Sequence, residues 1–147
     1  MRRTLRRPGS LLLIGLPALL LACSETEVPP PNPILGTYSA TSFTTTGSSG
    51  QRNEILAGST LVLTLKDDGT TSGHLHIAAS GTNTAFDADM AGTWSQNGTL
   101  VEFSQAADTF VKDMIFTWGP DSNGILSLSG DQVFSGARVQ IVLTKAS

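Results

Sequence analysis

The sequence predicts an all-β domain, an eight-stranded antiparallel up-and-down (meander) β-barrel over residues 34–147. Three observations carry this. Apolar residues alternate with polar ones at a period of two, not 3.6. Turn dipeptides, Asp68-Gly69 and Asn97-Gly98 above all, separate the alternating runs. No helical pattern interrupts the series, which leaves a meander of hairpins with one apolar face.

The first run, "GTYSATSFT" at 36–44, opens the domain. The Gly/Ser-rich stretch from Gly47 to Gly58 follows as the one long connection, a natural interaction surface because loops present side chains freely. "STLVLTL" then places Leu61, Leu63 and Leu65 on one face. Past the Asp68-Gly69 turn, "GHLHIA" points Leu75 and Ile77 inward and His74 and His76 outward. "DADMAGTW" is expected as one strand with Ala88, Met90, Gly92 and Trp94 inside and Asp87 and Asp89 outside. Asn97-Gly98 turns the chain into a strand carrying Val101 and Phe103. "FVKDMIFTW" spaces Phe110, Met114, Phe116 and Trp118 evenly and is expected as a sixth strand. "ILSLSG" and "ARVQIVLTK" complete the eight, the last with Val139, Ile141 and Leu143 on one face. Closure removes the bare edges that a lone sheet would expose.

The chain ahead of this domain has a different character. Arg2, Arg3, Arg6 and Arg7 precede an apolar run from Leu11 to Leu21, well short of the roughly 20 residues of a membrane-spanning helix. Leu20-Leu21-Ala22-Cys23 ends it, and Cys23 is the sole cysteine. This order of basic, apolar and small residues before a cysteine resembles the lipobox of bacterial lipoproteins. The resemblance implies a signal peptide at residues 1–22, cleavage before Cys23, and acylation of its thiol. At about 0.8 kcal/mol per buried methylene, two or more acyl chains anchor a protein stably. Ser24, in place of aspartate, implies outer-membrane sorting by the enteric rule. Residues 23–33 then form the lipidated cysteine and a tether, in which Pro29, Pro30, Pro31 and Pro33 favour extended geometry at about 3.1 Å per residue.

Without the first 22 residues, Arg52, Lys66, Lys112, Arg138 and Lys145 stand against twelve acids. That balance excludes a nucleic-acid partner, which requires a basic footprint. With Cys23 acylated, no disulfide supports the fold, and its core alone must hold it.

Gly36-Thr37-Tyr38 at the start of the first strand resembles the G-x-W position of lipocalin-like barrels, with Tyr for Trp. In that family a basic residue late in the last strand packs across the first-strand aromatic, and Lys145 is the nearest match. Avidin-like and other small secreted eight-stranded barrels share the same strand pattern. The lipocalin resemblance implies a pocket for a small hydrophobic molecule, walled by Tyr38, Leu63, Leu75, Met90, Trp94, Phe103, Phe116 and Trp118. Gly73 and Gly92, also interior, either leave room for it or let the sheet bend.

The remaining chemistry is sparse. His74 and His76 are expected opposite Asp87 and Asp89 on one outer face, a set of weak candidates for zinc or copper. On an outward-curving wall such side chains splay apart, so no metal and no cofactor is expected. The only thiol is the lipid site and both histidines face outward, so no catalytic residue and no enzyme activity is expected. Two functions follow as expectations. The first is a lipid-anchored module that binds a small hydrophobic molecule. The second is a non-catalytic structural, interaction or inhibitor-type barrel with a filled core that engages a protein partner through its loops.

Overall fold

The computed structural model describes residues 32–147; the signal segment, Cys23 and most of the tether lie outside the described residues. The elements in chain order are β1 (Gly36–Gly47), β2 (Gly50–Asn53), β3 (Thr60–Leu65), β4 (Thr70–Ile77), β5 (Phe86–Asp89), β6 (Gly92–Asn97) and β7 (Leu100–Gln105). A helical turn α1 (Phe110–Asp113), β8 (Phe116–Pro120), β9 (Leu126–Phe134) and β10 (Ala137–Lys145) complete the chain. β1 pairs antiparallel with β3 on one side and with β10 on the other, closing the sheet. The ring runs β1-β3-β4-β6-β7-β8-β9-β10 and back to β1, an eight-stranded antiparallel barrel consistent with the lipocalin-like arrangement.

Each expected hairpin forms where its turn residues sit. Lys66 and Thr70 bracket the Asp68-Gly69 turn, with the Asp68 carboxylate accepting from the Thr70 amide (2.9 Å) and hydroxyl (2.6 Å). Inward residues follow the alternation of the sequence: Leu61, Leu63 and Leu65 on β3, Val101 and Phe103 on β7, Val139, Ile141 and Leu143 on β10 are all buried. Phe103 meets Phe116 edge-on at 5.3 Å between ring centres.

One end of the barrel is shut by the chain that enters it. Ile34 is fully buried, and its carbonyl accepts a hydrogen bond from the Tyr38 hydroxyl at 2.7 Å. The Trp118 indole donates to that same hydroxyl at 3.2 Å. Burial raises the Tyr38 phenol above its ordinary pKa, and the Trp118 hydrogen bond partly offsets the rise. Tyr38 lies opposite Lys145 across the β1–β10 seam. The Lys145 chain crosses Gly36 and donates to the Pro33 carbonyl at 2.6 Å.

Three segments differ from the alternation reading. The Gly47–Gly58 stretch is not an open loop: β2 folds back on β1, and Glu54 behind it is buried. Its carboxylate accepts from Thr45 (2.6 Å) and Ser59 (2.9 Å) and faces Arg52 at 3.4 Å, which draws the segment onto the barrel. "DADMAGTW" is two strands, not one. The chain breaks step at Met90-Ala91, so β5 pairs the far end of β4 and β6 its near end. The buried Gln105 amide spans the break, its nitrogen toward the Met90 and Ala91 carbonyls (3.2 Å each) and its oxygen accepting from the Thr71 hydroxyl (3.0 Å). Finally, "FVKDMIFTW" begins as α1 and becomes a strand only at Phe116. Phe110 and Met114 are four apart as well as evenly spaced, so their pattern suits a helical turn equally.

The interior glycines leave no room for a ligand. A Cβ on Gly73 would stand 2.0 Å from the Val62 carbonyl oxygen, and one on Gly92 would stand 2.1 Å from that of Ser104. They permit close approach of the neighbouring strand. Gly130 has a different partner: Met114 fills the place its side chain would take. Gly73 also holds φ +143, whereas Gly98 holds φ +62 with open space around it. Gly73→Ala is therefore expected to cost more than about 3 kcal/mol through backbone collision, and Gly98→Ala only about 1–2 through its left-handed φ. Urea denaturation of the two variants checks the ranking.

Candidate functional site: an apolar opening beside β5

The eight expected wall residues all face the interior, where they pack on one another. Tyr38, Leu63, Leu75, Met90, Phe103 and Phe116 are buried; Trp94 and Trp118 are half-buried near the entry end. Trp94 is held by its indole donating to the Lys66 carbonyl at 3.0 Å. Trp94 and Phe103 also border a shallow outer pocket of about 150 Å³ and Trp118 one of about 200 Å³, while Leu75 reaches a mainly apolar opening.

That space exists because the ring is incomplete at the far end. β5 pairs with β4 alone, since the chain meets β7 only from Ala91 onward. β8 joins β7 only at Leu100 and Val101, and α1 packs beside the rest of β7. Between β5 and α1 lies an opening of about 230 Å³, lined by Leu75, Ile77, Phe86, Asp108, Thr109, Phe110 and Phe134. Its walls are mainly apolar. Phe110 is anchored beneath by Phe43, ring to ring at 5.4 Å, whereas Phe86 at the lip is 46% exposed. A larger groove of about 540 Å³ crosses the outer face of β1, β10, β9 and β8. Beside Ile115, Ile141 and Val142 its lining is mostly polar, with Ser42, Thr44, Thr117, Ser129, Asp131 and Gln140, groups that water satisfies. The smaller opening is the better candidate, because apolar concave walls with few polar groups mark small-molecule sites.

One lining residue keeps its polar atom out of the opening. Thr109 is buried, and its hydroxyl oxygen has no hydrogen-bond partner among the described residues. An unpaired buried hydroxyl costs about 1–3 kcal/mol. Asp108 beside it faces outward and pairs with Lys112 at 3.4 Å.

The four metal candidates face one another in the expected register, but their side chains do not splay apart as expected: both histidines converge on Asp87. β5 lies against β4 with Asp89 opposite His74 and Asp87 opposite His76. Asp87 accepts from His74 Nε2 (3.0 Å) and His76 Nδ1 (2.8 Å), and Asp89 lies 3.4 Å from His74 Nδ1. Among the described residues no group of three such side chains has a metal-holding arrangement. The four act instead as cross-strand hydrogen-bonded pairs that hold β5, and with it Phe86, onto β4.

The sequence reading missed Phe86, Thr109, Phe110 and Phe134 as site residues. The even spacing of Phe110 places it in a strand core. Phe86 lay just ahead of the expected strand, and nothing in the alternation marks Thr109. Compared with known proteins, the chain matches no family model, no curated protein and no solved structure.

The cluster makes the hold on β5 depend on pH. Hydrogen bonds from His74 to Asp87 and then to Asp89 raise the His74 pKa above 6.5. Those from His76 and then His74 lower the Asp87 pKa below 3.8. The raised histidine contributes stability that is complete below pH 6.5 and disappears as pH rises through its folded value. The lowered aspartate contributes above pH 3.8 and fades as pH falls through its own. Amide exchange at Asp87–Asp89 is expected to speed up between pH 6 and 8 beyond the intrinsic chemical rate. His74→Gln is expected to abolish that excess, with hydrogen-exchange NMR as the measurement.

Proposed function

We propose that this chain is a lipid-anchored protein of the bacterial cell envelope, held at the outer membrane through Cys23, whose barrel binds a small hydrophobic molecule. The observation that carries the ligand reading is the apolar opening between β5 and α1. The site differs from a calyx down the barrel axis, because the axis is filled by the core. The opening has roughly the volume of eight liquid water molecules, enough for one ring or a short alkyl chain. Catalysis has no part in this reading: both histidines are hydrogen-bonded to aspartates on the outer face, away from the opening.

A second reading is favoured by the filled interior itself. A solid barrel suits a protein that engages a partner through its loops. In that case β2 and the β4–β5 connection, joined where Arg52 donates to the Ala78 and Ala79 carbonyls (3.2 and 3.1 Å), form the engaging end.

Native and peptide mass spectrometry of protein purified from bacterial membranes separates them. The ligand reading expects acyl chains on Cys23 and a small apolar molecule retained by the intact chain. Phe86→Asp, which puts a charge on the exposed lip, is expected to lower retention at least tenfold without changing the acylation. A bare mass that Phe86→Asp does not alter supports the interaction reading. An unmodified Cys23 contradicts the anchor.

A further inference from the structure

We infer that the free edge of β5, with the opening beside it, docks an extended segment of a partner protein as one more strand, whose apolar side chain enters the opening between two basic residues. This rests on the interaction reading above, places the docking at β5 and names the partner's chemistry.

The backbone of β5 supplies the first half of the site. The Met90 amide donates to the Gly73 carbonyl at 3.0 Å. The register that sets Asp89 opposite His74 and Ala88 opposite Leu75 sets Met90 opposite Gly73. Backbone groups alternate in direction along a strand, so Ala88 and Phe86 also bond toward β4, and the N–H and C=O groups of Asp87 and Asp89 point away from it. β5 has β4 as its only partner strand, so among the described residues those groups have no backbone partner. β7 would pair there if it continued, but it ends at Gln105 and the chain turns off into α1. The wall therefore lacks one short strand, about 13 Å long at 3.3 Å for each of the four β5 residues. Such an edge is a template for another chain, with affinity from the backbone and specificity from pockets for alternate side chains.

The side chains of β5 supply the second half. Phe86 and Ala88 stand opposite Ile77 and Leu75 on the inner face, and Asp87 and Asp89 stand opposite the two histidines on the outer face. On an added strand, a residue opposite Ala88 points at the opening of about 230 Å³, which holds one leucine- or phenylalanine-sized side chain. Its two neighbours stand opposite Asp87 and Asp89, whose side chains are 56% and 88% exposed. Both aspartates meet the histidines through Oδ1, and their Oδ2 atoms have no hydrogen-bond partner among the described residues. Asp108, also exposed, lies across the opening. Opposite charges facing across strands favour pairing and like charges oppose it, so lysine or arginine belongs at both flanking positions. The same rule disfavours a second copy of this chain added through β5, which would set aspartate against aspartate.

The test is amide NMR of the full-length protein, purified with its native N-terminus and held in nanodiscs, titrated with the peptide acetyl-Thr-Lys-Leu-Lys-Thr-amide. The peptide is expected to shift the Asp87, Ala88, Asp89 and Phe110 resonances. Serine in place of its leucine is expected to weaken binding about tenfold, and glutamate in place of both lysines by at least as much. Asp89→Asn in the protein is expected to weaken the lysine peptide about threefold. N-methylation of the peptide at both lysines, or at the leucine alone, separates its two backbone edges. One pattern is expected to abolish binding and the other to leave it within about twofold, because only one edge faces β5. Equal effects of the two patterns, or a glutamate peptide that binds as tightly, overturn the inference. Shifts at Arg52, Ala78 and Ala79 in place of β5 overturn it and leave the interaction reading standing. If toluene moves the Phe86 and Phe110 resonances and no peptide moves any, the inference and the interaction reading fall together and the ligand reading stands.

Discussion

Closure of β1 against β10 is the constraint on which the rest of this structure depends. A meander of short strands leaves two bare edges, and here they satisfy each other along nearly the whole of β1, from Tyr38 to Thr46. Tyr38 secures the entry end of that seam. Its hydroxyl donates to Ile34, accepts from Trp118, and so joins the incoming chain, the first strand and β8 at one buried oxygen. Lys145 adds a second tie from the last strand back to Pro33. The first-strand aromatic and last-strand cation suggested by the sequence lie opposite each other in register, and the lysine side chain crosses Gly36 to the Pro33 carbonyl.

A ring shut firmly at one end tolerates weakness at the other. Far from the Tyr38 knot, β5 has β4 as its only partner, and α1 takes a place where a strand would otherwise continue. Three contacts among two aspartates and two histidines on the outer face hold the lip, interactions that solvent and salt weaken readily. Rigid seam and loosely held lip are the two conditions a binding opening needs: one keeps the walls in place, the other gives entry.

The barrel was legible in the sequence because its logic is repetitive. Leu61-Leu63-Leu65 and Val139-Ile141-Leu143 alternate without interruption, and Asp68-Gly69 and Asn97-Gly98 admit few conformations other than tight turns. The pairing of His74 and His76 with Asp89 and Asp87 was legible too, since a hairpin of known register places them. What escaped lies where a tertiary contact overrides local pattern. Glu54 looks like a loop acid until Thr45, Ser59 and Arg52 gather around it. Met90-Ala91 looks like the middle of a strand until the Gln105 amide stabilises a break there. The opening depends on that break and on Phe110 beginning a helical turn, and neither leaves a trace in a period-two alternation.

Native-state hydrogen exchange across the whole domain tests the central claim, a rigid seam supporting a weakly held lip. The β1 and β10 amides that cross the seam are expected to exchange only through global unfolding, with denaturant dependence equal to that of the whole domain. Amides of β5 are expected to exchange at least a hundredfold faster, with little dependence on denaturant. Seam amides that open as readily as those of β5 would contradict the account, because the ring would then have no fixed frame on which to hold an opening.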